Sequence, residues 1–174
     1  MAIKTILTEP NILLRQISQP VEQGGESEKE LMNDMLETMY AANGIGLAAI
    51  QIGVPKRIIV MDLSKEENKK LPMYFVNPVI KKKNNEKITY EEGCLSVPNQ
   101  FAEIDRPSKC EVEYLDYNGH KQNLQAEGLL ATCIQHEIDH LEGILFIDYL
   151  SKLKKEIILK KLSKHQVKPD RIIV

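Results

Sequence analysis

The sequence is most informative at first through what it lacks. No apolar run approaches the roughly 18 to 20 residues that a membrane-spanning helix needs, so a membrane span is not expected. The opening stretch MAIKTILTEPNILL carries one lysine and is soon interrupted by threonine, glutamate and proline. It therefore lacks the apolar core of a secretory signal, and a cytoplasmic protein is expected. Cysteine is scarce: Cys94, Cys110 and Cys133 make an odd number without the close spacing of a disulfide scaffold. Reduced thiols are the simpler reading, and a reduced thiol can hold a metal. Neither sign of charge dominates, and the net value of -2 gives no global reason to expect nucleic-acid binding. No internal repeat is visible. What remains is 174 residues with 43% hydrophobic and 28% charged side chains, the profile of one globular domain spanning residues 1–174.

Hydrophobic spacing sketches the elements. Leu31, Met35 and Met39, joined by Met32 and Leu36, mark a helix from about Glu28 to Ala42. Ser27 and Glu30 have the spacing of a capping box, and Asn43-Gly44 can close the helix. Arg57 to Met61 and Met73 to Ile80 read as strands separated by the polar loop SKEENKK, and Lys81 to Lys87 reads as a solvated turn. Cys110, Val112 and Tyr114 alternate with glutamates, Asn118-Gly119 signals a hairpin, and His120 to Ala126 returns. A second helix is expected from Glu127 to about Leu141, with Gly143 ending it. The tail from Ser151 to Lys168 holds seven lysines and one acidic residue, Glu156, beside Leu153, Ile157, Ile158 and Leu162. It reads as a basic amphipathic helix at about 151–164.

Chemistry concentrates in His136-Glu137-Ile138-Asp139-His140. Residues four apart share a helix face, so both imidazoles can converge on one ion. Glu137, rotated away from that line, is left free to take a proton from water. Hydrolytic metal centres usually have a third protein ligand and one open position. The run HEIDHLEGILF follows the metzincin pattern through Gly143 but has Phe146 where the third histidine belongs. Candidates for the third ligand are His120, His165, Cys94, Cys110, Cys133 and the carboxylates. Cys133 shares the histidine face but sits about 4.5 Å from His136 along the helix axis, which suits a pocket wall better than a 2.3 Å bond.

Three blocks together resemble the peptide deformylase family: Gly44-Ile45-Gly46-Leu47-Ala48-Ala49-Ile50-Gln51, Glu92-Gly93-Cys94-Leu95-Ser96, and the run QHEIDHLEG from Gln135 to Gly143. Their order matches, and the resemblance extends over nearly the whole chain. It implies an α+β fold with mixed and antiparallel strands around a central metal-binding helix, followed by a C-terminal helix. It implies an enzyme that removes the formyl group from the N-terminal formylmethionine of newly made polypeptides. Cys94 would join His136 and His140 as a metal ligand. The ion would be ferrous iron, with zinc, nickel or cobalt as possible substitutes, a choice that a Cys-His-His set does not fix.

The resemblance also assigns roles around the ion. Glu137 would take a proton from the attacking water and pass it to the leaving amine. The Gln51 amide and the backbone N–H of Leu95 would meet the developing oxyanion. Backbone groups of Ile45, Gly46 and Gly93 would hold the peptide as an added strand. The methionine pocket would be made by Ile45, Tyr90, Leu129, Thr132, Cys133 and the ring of His136. Glu92 and Arg106 would form an ion pair bracing the second block. Phe101 and Thr132 depart from common family residues and bear on subsite preference. The basic C-terminal helix is similar to the extension with which bacterial members dock on the ribosome near its exit tunnel.

Overall fold

The computed structural model describes residues 2–22, 25–64 and 69–164. His165 and Lys168 lie outside the described residues, as does part of the SKEENKK loop. Helix α1 (Glu26–Ala41) is followed by strands β1 (Gly46–Ala48), β2 (Ile58–Met61) and β3 (Met73–Lys83). Strands β4 (Lys87–Cys94), β5 (Val97–Pro107), β6 (Lys109–Leu115) and β7 (Lys121–Glu127) precede helices α2 (Leu129–Leu141) and α3 (Lys152–Lys164). Among the described residues no helix is long and apolar enough to cross a membrane.

Five strands form one sheet in the order β1-β2-β3-β6-β7, and β4 with β5 forms a separate hairpin. All of these pairings are antiparallel. Parallel pairing among the described residues is confined to an isolated bridge between Gln19 and Lys56. The period of two along β2 explains how the layers assemble. Ile59 and Met61 pack with Ala131, Ile134, Ile138 and Leu141 of α2, whereas Ile58 and Val60 pack with Met32, Met35 and Met39 of α1. Every residue of IIVM is buried because a helix covers each face of the sheet. A third apolar cluster joins Val97 and Ile104 of the hairpin to Phe146, Ile147, Ile158 and Leu162. Helix α2 is therefore clasped between the large sheet and the β4–β5 hairpin.

Several expected boundaries move. Helix α1 begins at Glu26 with Gly25 as its cap. Glu28, rather than Glu30, reaches back to the Gly25 N–H at 3.0 Å and accepts the Ser27 hydroxyl at 2.8 Å. Strand β3 continues through Lys83, so the three lysines expected in a turn lie on an exposed strand end. Glu127 belongs to β7. The helix begins only at Leu129, after Gly128 at φ 61°. At the far end of α2, Gly143 adopts φ 72° and a side chain there would strike the Arg15 backbone. The β4–β5 hairpin, which carries Cys94, is absent from the sequence-based outline altogether.

Candidate metal centre

Helix α2 delivers His136 and His140 from one face, one turn apart, while its Ile134, Ile138 and Leu141 face the sheet. The thiol comes from elsewhere. Register in the β4–β5 ladder shifts between Glu92 and Cys94, and this irregularity at Gly93 turns Cys94 toward the helix. Its Sγ lies 3.2 Å from His140 Nε2. Ligand atoms of Cys94, His136 and His140 all fall within 4.8 Å of one another. No other group of metal-binding side chains of that size is present among the described residues.

The rival third ligands separate cleanly. Cys110 lies in the core beneath the sheet and His120 is exposed on the β6–β7 hairpin. Cys133 lines the adjoining cleft, where burial pushes its thiol up to about 12 and keeps it protonated. Phe146, standing where a metzincin has histidine, instead stacks its ring near His136 with a centroid separation of 6.3 Å.

The donor set fits a metal on chemical grounds. His136 Nδ1 donates to Glu92 Oε2 at 2.8 Å, which leaves Nε2 available as a ligand. Burial disfavours the charged form of His140, and a neutral imidazole is what an ion requires. Glu92 forms a buried two-pronged pair with Arg106, at 2.5 Å from Nε and 3.0 Å from Nη2. Burial alone would raise the Glu92 carboxyl, but His136 and Arg106 outweigh it and hold it below its usual range.

Glu137 projects over the same space. Burial pushes its carboxyl up to about 7, a range suited to a group that accepts and returns a proton, and its Oε2 has no protein partner. Gly46 explains itself here: a Cβ at that position would occupy the space of the Glu137 carboxylate. Gln51 is 1% exposed and held at both ends of its amide. Its Oε1 accepts the Ala48 N–H at 2.9 Å, while Nε2 donates to Ser96 Oγ at 3.1 Å and lies 3.6 Å from Cys94 Sγ. Ser96 had no role in the sequence reading; its place two residues after Cys94 was the available signal.

A cleft of roughly 640 Å³, open mouth included, runs from these groups to the surface. Ile45, Gly46, Tyr90 and Gly93 line it together with Leu95. Leu129, Thr132 and Cys133 of α2 complete its wall beside His136. Thr132 is 3% exposed, and its hydroxyl has no hydrogen-bond partner.

A triad of one thiol and two imidazoles, a free carboxylate of raised proton affinity and a fixed amide donor around an open cleft define a metal-dependent hydrolase. The family model for polypeptide deformylase matches residues 3–156. The chain belongs to the polypeptide deformylase family. It is 75% identical to the peptide deformylase of Pelagibacter ubique (strain HTCC1062) over 174 residues, the full length of both chains. It is 55% identical to that of Maricaulis maris (strain MCS10) over 98% of each chain. Among solved structures it resembles peptide deformylase from Ehrlichia chaffeensis in complex with actinonin, with a TM-score of 0.92 at 44% identity. That match covers 97% of this chain and 100% of the other.

Proposed function

We propose that the chain removes the N-formyl group from the N-terminal formylmethionine of newly made polypeptides in the cytoplasm, as a metal-dependent peptide deformylase releasing formate. The convergence of Cys94, His136 and His140 beside the unpaired Glu137 carboxylate carries this reading. Those three residues would hold the ion, for which iron(II) is the proposed native choice, with zinc, nickel or cobalt as substitutes. When bound, such an ion acidifies water and polarises a carbonyl oxygen.

The remaining work falls to side chains and backbone. Glu137 takes the proton from water as its oxygen attacks the formyl carbon, then returns it to the departing amide nitrogen, so methionine leaves with a free amino group. The Gln51 Nε2–H and the Leu95 N–H donate to the formyl oxygen as charge grows on it. Because Ala48 and Ser96 pin the Gln51 amide beforehand, no reorganisation is needed then. A preorganised donor of this kind is worth roughly 3 to 4 kcal/mol.

Strand β1 is the outer strand of the five and β4 has a neighbour on one side only. Both free edges border the cleft, where Ile45, Gly46 and Gly93 offer main-chain groups to an extended peptide. Main-chain recognition of that sort tolerates many sequences. The methionine side chain then enters the space bounded by Tyr90, Leu129, Thr132 and Cys133. Each methylene buried there contributes about 0.8 kcal/mol.

Formyl-Met-Ala-Ser, acetyl-Met-Ala-Ser and the unblocked peptide separate this activity from that of a general amidase or peptidase. Hydrolysis of the formyl peptide alone is expected, and comparable turnover of the acetyl peptide would refute the assignment. A ribosomal contact through α3 belongs to the same proposal. Lysines 152, 154, 160 and 164 are exposed next to Leu153 and Ile157, whereas Lys155 is tied to Asp148. Charge reversal at Lys154 and Lys160 should weaken ribosome co-sedimentation at low salt and spare turnover of short peptides. Unchanged co-sedimentation would remove α3 from the contact.

A further inference from the structure

The metal ligands come from two separate pieces of the fold, the thiol from the β4–β5 hairpin and the imidazoles from α2. Something must hold those pieces in register to within tenths of an ångström. A closed circuit of charged side chains spans them. From α2, His136 Nδ1 donates to Glu92 Oε2 on β4. Glu92 is gripped by Nε and Nη2 of Arg106 on β5. The remaining edge of the guanidinium, Nη1, donates back to α2, reaching Asp139 Oδ2 at 2.8 Å.

The return contact is as well built as the outgoing one. Asp139 sits three residues after His136 and next to His140, so the helix carries it rigidly with both imidazoles. Its Oδ2 also accepts the Tyr149 hydroxyl at 2.8 Å. The Tyr149 ring covers the guanidinium, with Arg106 Cζ 4.9 Å from the ring centroid. Arg106 is 3% exposed, and one carboxylate cannot satisfy its five N–H groups. A guanidinium bound on one edge can swing about that contact, and Glu92 would swing with it. Bound on both edges and covered by a ring, it cannot.

We infer that Asp139 and Tyr149 are positioning residues of the metal centre, closing the clamp that fixes the hairpin thiol against the two helical imidazoles. The inference rests on the metal-site reading above and adds the device that sets its geometry. Tyr149 is half exposed at the end of the 3-10 turn Phe146–Tyr149, two residues ahead of α3, so the clamp reaches the molecular surface.

Cobalt(II) is a suitable probe, since its absorption reports thiolate and imidazole geometry and its affinity can be measured by chelator competition. Asp139→Asn and Tyr149→Phe both preserve shape. Asp139→Asn removes the charge from the return contact, and Tyr149→Phe removes only the hydroxyl and keeps the ring. Changes in groups that orient ligands cost roughly 10- to 100-fold in metal affinity. Asp139→Asn is expected to weaken cobalt binding about tenfold, and Tyr149→Phe about threefold, both with altered sulfur-to-cobalt absorption. Tyr117→Phe, which loses a hydroxyl contact to Asn33, serves as a control expected to keep the parental affinity and bands. Because Tyr149 is half exposed, its variant folds even if Asp139→Asn does not. Parental affinity and bands in Tyr149→Phe and in whatever Asp139→Asn folds would overturn the clamp. So would weaker binding with unchanged bands that merely tracks a loss of thermal stability. Failure of the parent chain to bind cobalt would instead bring down the metal site itself, and the clamp with it.

Discussion

Helices α2 and α3 are each thirteen residues long, yet they live in opposite surroundings. Nine residues of α2 are buried, including Thr132, Gln135, Glu137 and His140, whereas α3 buries only Ile158 and Leu162. In α2 the polar groups point inward, and most are met by a partner on another element. In α3 most of the lysines are exposed. The difference shows where a helix can carry chemistry. Groups fixed by packing and by partners on both sides keep their places, whereas groups held by two apolar anchors and a salt link remain free to meet something from outside.

The largest effect that can sharpen this contrast is on turnover. Glu137→Gln should keep the metal and lose about 10²- to 10⁴-fold in kcat, measured on formyl-Met-Ala-Ser beside metal analysis of the same sample. Activity near that of the parent would show that the buried carboxylate does not move the proton. Next comes packing. Ile134→Ala, at a fully buried α2 position, should cost about 2 to 5 kcal/mol in denaturant unfolding. Leu153→Ala, exposed on α3, should stay within about 0.5 kcal/mol. Similar costs at both positions would erase the distinction.

Acid should loosen α3 before α2. Asp148 accepts from Lys155 Nζ and from Arg15 Nη1, tying the start of α3 to the N-terminal segment. Burial works against ionisation, but Lys155, the Leu145 N–H and Arg15 together hold the carboxyl below its ordinary 3.8. Its folded form therefore titrates lower than its unfolded form. The stabilisation is complete at neutral pH and drains away as pH falls below 3.8 toward that lowered value. Amide protection in α3 should fall in that window while α2 retains its own; a simultaneous loss would mean that the link does not hold α3. A modest effect of the opposite sign is expected at Thr132. A helical threonine can return its hydroxyl to a carbonyl one turn back, but here the oxygen has no partner. Thr132→Val should raise stability by about 1 kcal/mol, and a loss of stability would reveal a partner for that hydroxyl.

How much of this was legible beforehand follows from the same contrast. The apolar stripe of α2 and the His136/His140 spacing state their purpose directly, and α3 shows its lysines and leucines openly. The β4–β5 hairpin is hard to read because two charged residues interrupt its apolar buried face. Ile88, Tyr90 and Glu92 alternate along β4, as do Ala102, Ile104 and Arg106 along β5, yet Glu92 and Arg106 are 6% and 3% exposed. A pattern that equates charge with solvent reads both as surface. Cys94 was found through resemblance to a family, since nothing local to it announces a ligand that a register shift turns toward a helix from a different part of the chain. The start of α1 was misplaced for a related reason: Gly25 offers its N–H to Glu28 and no side chain of its own.

X-ray absorption of zinc-loaded protein, prepared under reducing conditions, would probe the centre itself. One sulfur scatterer near 2.3 Å and two imidazole nitrogens near 2.0 to 2.1 Å, distances typical of zinc, are expected, with the sulfur lost in Cys94→Ala. A shell of nitrogen and oxygen alone in the parent protein would contradict a site built from Cys94, His136 and His140.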